Sequence, residues 1–436
     1  MTIDRRAGFA VLVVLGALVA IAAPELGGDP QRFGAVTVDR DGLLGPIVRA
    51  ADGGWDLGVV RAPAYAAGAL IAAVAIAGAR AVAWRRDVLV AVAAATVVLL
   101  LVPATLLAVG LRAGSRPSVY TNDSTYQIEA AGDLLLDGHD PYGHDYRDTG
   151  LQRWYETVRQ PTDQGKAALD HFAYFPGTAL AAAAWRLLRA PLDDFRLLVL
   201  LCTIALLPAA LALPGPFAVR LVGGAMLAAN PLAVRAAWFG TADAPSLLLL
   251  VVTFAFAARG RAASAGAALA GAVLMKQFAL VAVPFLALAL LARGGVRRGA
   301  VAFGAVALAG FLPFLVADPG AFWSDTVAYG ADTYRIIGYG LAGLLVEAGA
   351  VSRTGSYPFA LLALLVWAPV TAWLLVTQRR RAAASLAAAA AGFAGSVFAL
   401  LWVGRVFQSS YLIWPLTGLV LAAVLAAWEW RPTAER

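Results

Sequence analysis

The side chains best suited to chemistry in this 436-residue chain are concentrated in residues 121–148, TNDSTYQIEAAGDLLLDGHDPYGHDYRD. This stretch holds two of the three histidines and, counted from Tyr120, four of the twelve tyrosines, with aspartates throughout. Carboxylates and imidazoles transfer protons in catalysis and bind hydroxyl groups. Since apolar blocks flank the stretch on both sides, the elements that position it have to be found first.

The composition predicts an all-α polytopic membrane protein. The chain is 61% hydrophobic and only 14% charged, whereas a soluble domain carries about 25% charged residues. Apolar blocks near the length that crosses a bilayer recur along it. The net charge of +7 would suit nucleic acid, but the basic residues form short clusters between apolar blocks, as the positive-inside rule describes. The predicted partner is therefore a lipid bilayer and not nucleic acid.

The apolar blocks predict a bundle of about twelve transmembrane helices. They lie at roughly 8–23, 64–83, 88–111, 195–213, 217–233, 244–258, 262–276, 277–292, 299–317, 357–377, 383–403 and 411–428. If both termini are cytoplasmic, the dense arginine clusters at 5–6, 85–86, 259–261, 293–298 and 379–381 all face the cytoplasm. This predicts a plasma-membrane protein with outer loops at 24–63 and 112–194. Alternatively the first block is a cleaved signal peptide, which Pro24 disfavours.

The same pattern suggests three parts: an N-terminal hairpin with its outer loop (1–87), a central module with the acidic loop (88–317), and an outer loop with the last helices (318–436). The block 172–188 is predicted to lie at the outer interface or to re-enter the membrane from it, because a span there would reverse every later arginine cluster. Residues 121–138 have helical apolar spacing and predict an amphipathic helix on the membrane surface. Asp123 stands at its start as a candidate N-cap, and Ser124 and Gln127 resemble a capping box.

Several motifs resemble glycosyltransferase family 87, integral-membrane enzymes of the GT-C fold typified by polyprenol-phosphate-mannose-dependent mannosyltransferases. The loop pattern D-x-x-Y…A-x-x-L-L-x-G-x-D-P-Y, from Asp123 and Tyr126 to Tyr142, is similar to the family's first large outer loop. YFPG (174–177), NPLAVRAAWFGTAD (230–243) and GAVLMKQFALVAVPF (271–285) resemble three further family motifs in the same order. The resemblance covers roughly residues 85–430.

The resemblance implies an inverting transfer of a sugar, usually mannose, from a polyprenyl-phosphate donor to a glycolipid or glycan acceptor outside the cell. It assigns Asp123 as the catalytic base that deprotonates the acceptor hydroxyl. The departing phosphate then needs fixed positive charge. Lys276, at the outer end of a predicted span, and Arg405, before the last span, are the candidate cations; a snorkelling lysine and an interfacial arginine are the plain alternatives.

Further substrate-binding candidates come from the same motifs and loops. They are His171, Tyr126, Tyr142, Asp243, Gln277 and Arg335. Asp243 has a structural alternative as a helix N-cap, His171 as a solvated loop residue, and Arg335 as an interfacial anchor. The acidic loop follows the third predicted span instead of the first, so Asp56 in the earlier outer loop is a rival for the base.

No cofactor or metal is indicated. The nearest match to an Asp-x-Asp metal motif is Asp193-Asp194, and Cys202 is the only cysteine. A transporter or flippase of a lipid-linked sugar would also have about a dozen spans and a polar cavity. A noncatalytic subunit of an envelope-assembly complex is the third hypothesis. The sequence leaves the sugar, the acceptor and the oligomeric state open.

Overall fold

Most of the residues that the structure describes lie in helices. The computed structural model describes residues 1–27, 36–158, 169–333 and 335–430. The α-helices are α1 (Arg5–Ala22), α2 (Gly45–Ala50), α3 (Leu57–Ala77), α4 (Arg86–Gly114), α5 (Asp123–Leu136), α6 (Gln152–Thr157), α7 (Pro176–Arg186), α8 (Phe195–Leu211), α9 (Phe217–Ala229), α10 (Pro231–Phe239), α11 (Ala244–Ala258), α12 (Ala262–Met275), α13 (Val283–Ala292), α14 (Val296–Ala317), α15 (Pro319–Trp323), α16 (Leu341–Glu347), α17 (Phe359–Leu362), α18 (Ala368–Ala382), α19 (Leu386–Val403) and α20 (Ile413–Glu429).

Short segments of other geometry join these helices. Three 3-10 segments span Ala23–Leu26, Gln277–Ala282 and Ser409–Leu412, and three π-helical segments span Arg147–Leu151, Ser324–Thr333 and Ala363–Trp367. The strands are β1 (Thr2–Asp4), β2 (Thr37–Val38), β3 (Ala83–Arg85), β4 (Ser115–Arg116), β5 (Ile337–Gly338) and β6 (Val406–Phe407). β1 pairs antiparallel with β3, β2 antiparallel with β4, and β5 parallel with β6.

The chain is a membrane-embedded, all-α protein. Among the described residues, seven helical stretches are long and apolar enough to cross a membrane, or eight if the bent pair α9–α10 is one span. The seven are Arg5–Leu26, Leu57–Ala77, Arg86–Gly114, Val296–Ala317, Phe359–Ala382, Leu386–Val403 and Ser409–Glu429. Four shorter apolar helical stretches cover the other predicted blocks: Phe195–Leu211, Ala244–Ala258, Ala262–Met275 and Gln277–Ala292.

The predicted loop helix forms, and its apolar side packs inside the protein. In α5, Ile128 and Ala131 are completely buried, and the helix packs against α7. Gly132 allows this close approach, since a Cβ there would lie 2.7 Å from the backbone nitrogen of Ala183. α7 itself has 11 residues, about 16 Å, which is too short to cross a bilayer.

The N-cap prediction for α5 was wrong by one residue. The Asn122 side chain accepts hydrogen bonds from the backbone N–H of Thr125 at 2.7 Å and from the Ser124 hydroxyl at 2.9 Å. Asp123 is the first residue of the helix. Because Asn122 supplies the cap, the Asp123 carboxylate is not committed to that role.

A buried ionic network fixes α5 to the rest of the bundle. Arg112 at the end of α4 forms a two-pronged ion pair with Glu129 of α5 and a second pair with Asp194 at 3.0 Å. Asp194 also binds Arg196, which is completely buried and donates to the carbonyl of Tyr120 at 2.7 Å. Each charge has an opposite partner, which compensates the cost of burial. The start of α5 is therefore held from several sides.

Asp325 connects the acidic loop to a later part of the chain. It lies in the π-helical segment Ser324–Thr333, is almost fully buried, and accepts hydrogen bonds from the backbone N–H groups of Gly143 at 2.9 Å and Phe172 at 3.2 Å. The β5–β6 pair brings Ile337 beside Val406. The segment around Asp325 therefore contacts the acidic loop, and β5 contacts the residues that precede α20.

Candidate functional site

One cavity of about 700 Å³ collects most of the predicted site residues. Its lining comes from the start of α5, residues 173–175, the loop between α10 and α11, and residues 276–284, 326–329, 359–371, 400–401 and 404–411. Five predicted residues line it: Asp123, Asp243, Lys276, Gln277 and Arg405. The fold brings together residues that are far apart in the sequence, since Asp123 and Arg405 are separated by 282 positions.

Asp123 is a half-buried carboxylate with defined partners. Its Oδ1 accepts a hydrogen bond from the Ser124 backbone N–H at 2.9 Å, and its Oδ2 accepts one from the Tyr155 hydroxyl of α6 at 3.0 Å. Burial raises the pKa of Asp123 above its usual range, and these hydrogen bonds partly oppose the shift. A carboxylate with a raised pKa is a stronger base once ionised.

Lys276 is buried in the cavity wall and does not snorkel to an interface. It follows the last residue of α12, with extended backbone dihedrals that break the helix before Gln277. Its Nζ lies 3.6 Å from Asp243 Oδ1 and 4.7 Å from the centre of the Tyr174 ring. A charge at this depth is costly unless it faces polar groups, and the carboxylate and the cavity supply them.

Arg405 is the second cation of the cavity. Only 2% of its surface is exposed, so it is buried in the protein. The guanidinium donates from Nη2 to the Gly355 carbonyl at 2.8 Å. The parallel pairing of β5 with β6 fixes the adjacent backbone, since the Ile337 N–H donates to the Arg405 carbonyl at 3.2 Å.

Polar and apolar groups both line the cavity. Two buried oxygens in the lining, Gln277 Oε1 and Thr241 Oγ1, make no hydrogen bond within the part of the chain that the structure describes. Buried polar atoms normally have partners, so these two are suited to a bound ligand. The apolar lining residues include Leu280, Pro284, Phe359, Trp367 and Leu400. The cavity therefore matches an amphiphile with a polar head.

Four predicted residues lie outside the cavity lining. His171 binds Asp325 through Nδ1 at 2.7 Å and contacts the ring of Tyr329. Tyr142 is buried, and its hydroxyl donates to the Tyr174 carbonyl at 2.8 Å. Tyr126 lines a different cavity, and Arg335 is half-buried two residues before β5. The hydroxyl of Tyr142 is engaged by the backbone inside an aromatic cluster, and its predicted substrate-binding role stays a prediction.

The rival base Asp56 also lies elsewhere. It is exposed and caps α3 by accepting a hydrogen bond from the Val59 N–H at 2.8 Å. Asp243 shows the opposite outcome. It immediately precedes α11 but its side chain caps nothing, and it binds Trp414 Nε1 at 3.0 Å. Asp56, the rival for the base, thus caps a helix, whereas Asp243, for which a helix cap was the alternative, lines the cavity near Lys276.

Sequence reasoning missed three neighbours of Asp123. Asn122 and Ser124 line the cavity beside it, and Tyr155 binds its carboxylate. Tyr174, which contacts Lys276, lay within the quoted YFPG motif and was not singled out. Only the two residues adjacent to Asp123 had a local signal, since the contacts of Tyr155 and Tyr174 depend on the folding of the loop.

A second cavity of about 450 Å³ lies between the end of α4, α5 and residues 190–194. Asp193, the nearest match to a metal motif with Asp194, forms an ion pair with Arg186, and Asp194 pairs with Arg112 and Arg196. Among the described residues, no group of three or more histidine, cysteine, aspartate or glutamate side chains could hold a metal ion.

The comparisons with known proteins identify no relative. No protein-family model matches the chain, and no curated protein or solved structure matches it. The relationship to glycosyltransferase family 87 therefore belongs to the proposal that follows.

Proposed function

We propose that this protein is an inverting membrane glycosyltransferase of the GT-C type that transfers a sugar, mannose in the first instance, from a polyprenyl-phosphate donor to a glycolipid or glycan acceptor outside the cell. One observation carries the proposal: a single cavity holds a base-competent carboxylate, Asp123, two buried cations, Lys276 and Arg405, and an apolar wall. These are the groups that a lipid-phosphate sugar requires.

In the proposed reaction, Asp123 takes the proton of the acceptor hydroxyl as its oxygen bonds to the anomeric carbon of the donor. The bond between that carbon and the phosphate oxygen breaks, and the electron pair leaves with the lipid phosphate. Lys276 and Arg405 stabilise the charge that develops on this leaving group. Attack opposite the departing phosphate inverts the anomeric configuration.

The apolar wall supports a donor with a hydrocarbon tail. Phe359 and Trp367 belong to the candidate span Phe359–Ala382, in whose most apolar window no residue is buried inside the protein. This helix therefore has a surface available to the bilayer next to the cavity. A lipid headgroup at the cations and a tail along this wall would satisfy both sides of the cavity.

We further propose that the four shorter apolar helical stretches also cross the bilayer, which gives a twelve-helix bundle. The arginine clusters then place both termini in the cytoplasm and the cavity at the outer leaflet of the plasma membrane. Donor lipid and polar acceptor can meet at that surface. The acceptor site, the sugar and the role of the N-terminal hairpin are open within this proposal.

The test uses purified protein in lipid nanodiscs with a polyprenyl-phosphate sugar and a set of membrane glycolipid acceptors. The wild type should release polyprenyl phosphate and form a glycosylated acceptor, and Asp123→Asn should lower turnover by at least about 10²-fold while binding the donor, as expected for loss of a general base. Asp56→Asn is the matched control, with turnover unchanged. Unchanged turnover in Asp123→Asn contradicts the assignment, and movement of intact donor across vesicles without transfer favours a flippase.

A further inference from the structure

The Asp243 carboxylate does not cap a helix, and it is held close to Lys276. It is 2% exposed and directly precedes α11 without capping it. Its Oδ1 accepts a hydrogen bond from the buried Trp414 Nε1 at 3.0 Å and lies 3.6 Å from Lys276 Nζ. The indole of α20 thus fixes a carboxylate beside the cation of the cavity.

The Lys276 ammonium is positioned from two directions. The Asp243 carboxylate lies on one side, and the face of the Tyr174 ring lies on another, 4.7 Å from Nζ. Both contacts are attractive for a cation. The lysine is therefore held in the cavity wall before any phosphate binds.

The charges that line the cavity cancel. Among the described lining residues, two carboxylates (Asp123 and Asp243) and two cations (Lys276 and Arg405) give a formal sum of zero. A phosphodiester donor brings one negative charge, whereas the phosphate monoester released by transfer carries about −1.5 to −2 at pH 7. An extra negative charge on the ligand is attracted by the cations and repelled by Asp243 at similar range.

We propose that Asp243 is a positioning and specificity-determining residue: as the counter-ion of Lys276, it limits the affinity of the cavity for a dianionic phosphate monoester relative to a monoanionic diester. This inference rests on the proposed function, in which the diester is the donor and the monoester is the product. Its consequence is that the product leaves the cavity after transfer instead of remaining bound to two cations.

The test is a binding assay that needs neither sugar transfer nor acceptor. Farnesyl phosphate and methyl farnesyl phosphate serve as monoester and diester probes, measured by tryptophan fluorescence in nanodiscs at pH 7.5. For the wild type we expect the monoester to bind no more than about threefold tighter than the diester. Asp243→Asn keeps the acceptor for Trp414 and removes the charge, so the monoester should bind at least about tenfold tighter than before, with a smaller change for the diester.

Asp133→Asn is the matched control, because it removes a half-exposed carboxylate of α5 that lies outside this cavity; the ratio of affinities should stay at the wild-type value. An unchanged affinity ratio in Asp243→Asn would overturn the inference. A wild type that binds the monoester tenfold tighter than the diester would also overturn it, and this measurement does not depend on the folding of a variant. If the protein transfers sugar but Asp243→Asn leaves the affinity ratio unchanged, the proposed function holds and the inference about Asp243 fails. If the binding assay gives the predicted ratios but no sugar is transferred, the proposed function fails and the charge discrimination by Asp243 holds.

Discussion

At the scale of single residues, the position of Asp123 depends on which neighbour caps α5. Asn122 takes the cap and leaves the aspartate side chain to the cavity and to Tyr155. Burial raises the pKa of the carboxyl, because the charged form is desolvated. A helix-capping role would not account for the position of Asp123 in a cavity that also contains two cations.

This environment predicts a specific pH dependence. The base works in its ionised form, so transfer should fall as the pH drops through the raised pKa of Asp123. Tyr155→Phe removes a hydrogen bond that favours the carboxylate, so the pKa should rise further and the acidic limb of the kcat/KM profile should move to higher pH. A limb that stays in place, or moves to lower pH, would contradict this role of Tyr155.

The same shift has a consequence for stability. A carboxyl whose pKa is higher in the folded than in the unfolded protein binds its proton more tightly when folded, so its contribution to stability is present at low pH and lost as the pH rises through the folded value. Asp123→Asn is neutral at every pH. It should therefore unfold at a higher temperature than the wild type at pH 8, while the difference shrinks at low pH.

At the scale of elements, α5 is held by ion pairs and by close helix packing. Arg112, Glu129 and Asp194 come from three segments, and their charged groups are largely buried. Removing one partner of a buried pair leaves an uncompensated charge. The network thus links the stability of the loop to the placement of Asp123, which lies on the same helix as Glu129.

We predict that Glu129→Gln lowers the free energy of unfolding by about 3 kcal/mol, because Arg112 loses its two-pronged partner in a buried site. Asp133 lies on α5 as Glu129 does, and its half-exposed carboxylate pairs with Arg186 of α7. Asp133→Asn should lower the free energy of unfolding by less than about 1 kcal/mol. Denaturant titration of both variants in detergent micelles measures the difference. If both variants lose the same free energy of unfolding, the buried network does not stabilise the protein more than the half-exposed Asp133–Arg186 pair does.

At the scale of the whole molecule, the orientation in the bilayer decides whether the cavity can meet an external acceptor. Cys202 is the only cysteine of the chain, so a Cys202→Ser background permits site-directed labelling. Asp137 after α5 and Arg298 in α14 are both exposed and lie on opposite sides in the proposed topology. They make a matched pair of probe positions.

In intact cells, a membrane-impermeant thiol reagent should label Asp137→Cys and leave Arg298→Cys unmodified until the membrane is permeabilised. The arginine clusters give the physical reason, since they favour the cytoplasmic side. The reverse labelling pattern would place the cavity in the cytosol and remove the proposed acceptor. Labelling at both positions before permeabilisation would show that the segment between them is not oriented as proposed.

The amino-acid sequence by itself determined what depends on local composition: the all-α membrane class, the apolar helical stretches, and the acidic loop with its helix beginning at Asp123. Hydrophobicity and helical spacing are properties of neighbouring residues, so no tertiary contact was needed. The resemblance drew attention to Asp123 and Lys276, whereas it gave no indication that Tyr142 would bind the Tyr174 carbonyl or that Asp243 would bind Trp414.

The tertiary structure alone decided which of these side chains meet. Asp123, Asp243, Lys276 and Arg405 come from four separate segments, and their convergence depends on helix packing over distances along the chain that no local pattern records. The helix cap made by Asp56, the position of Asp243 in the cavity, the cap at Asn122, and the contacts of Tyr155 and Trp414 have the same origin. Each depends on which long-range partner occupies the space beside it, because a polar group buried in this protein takes the partner that the fold brings within reach.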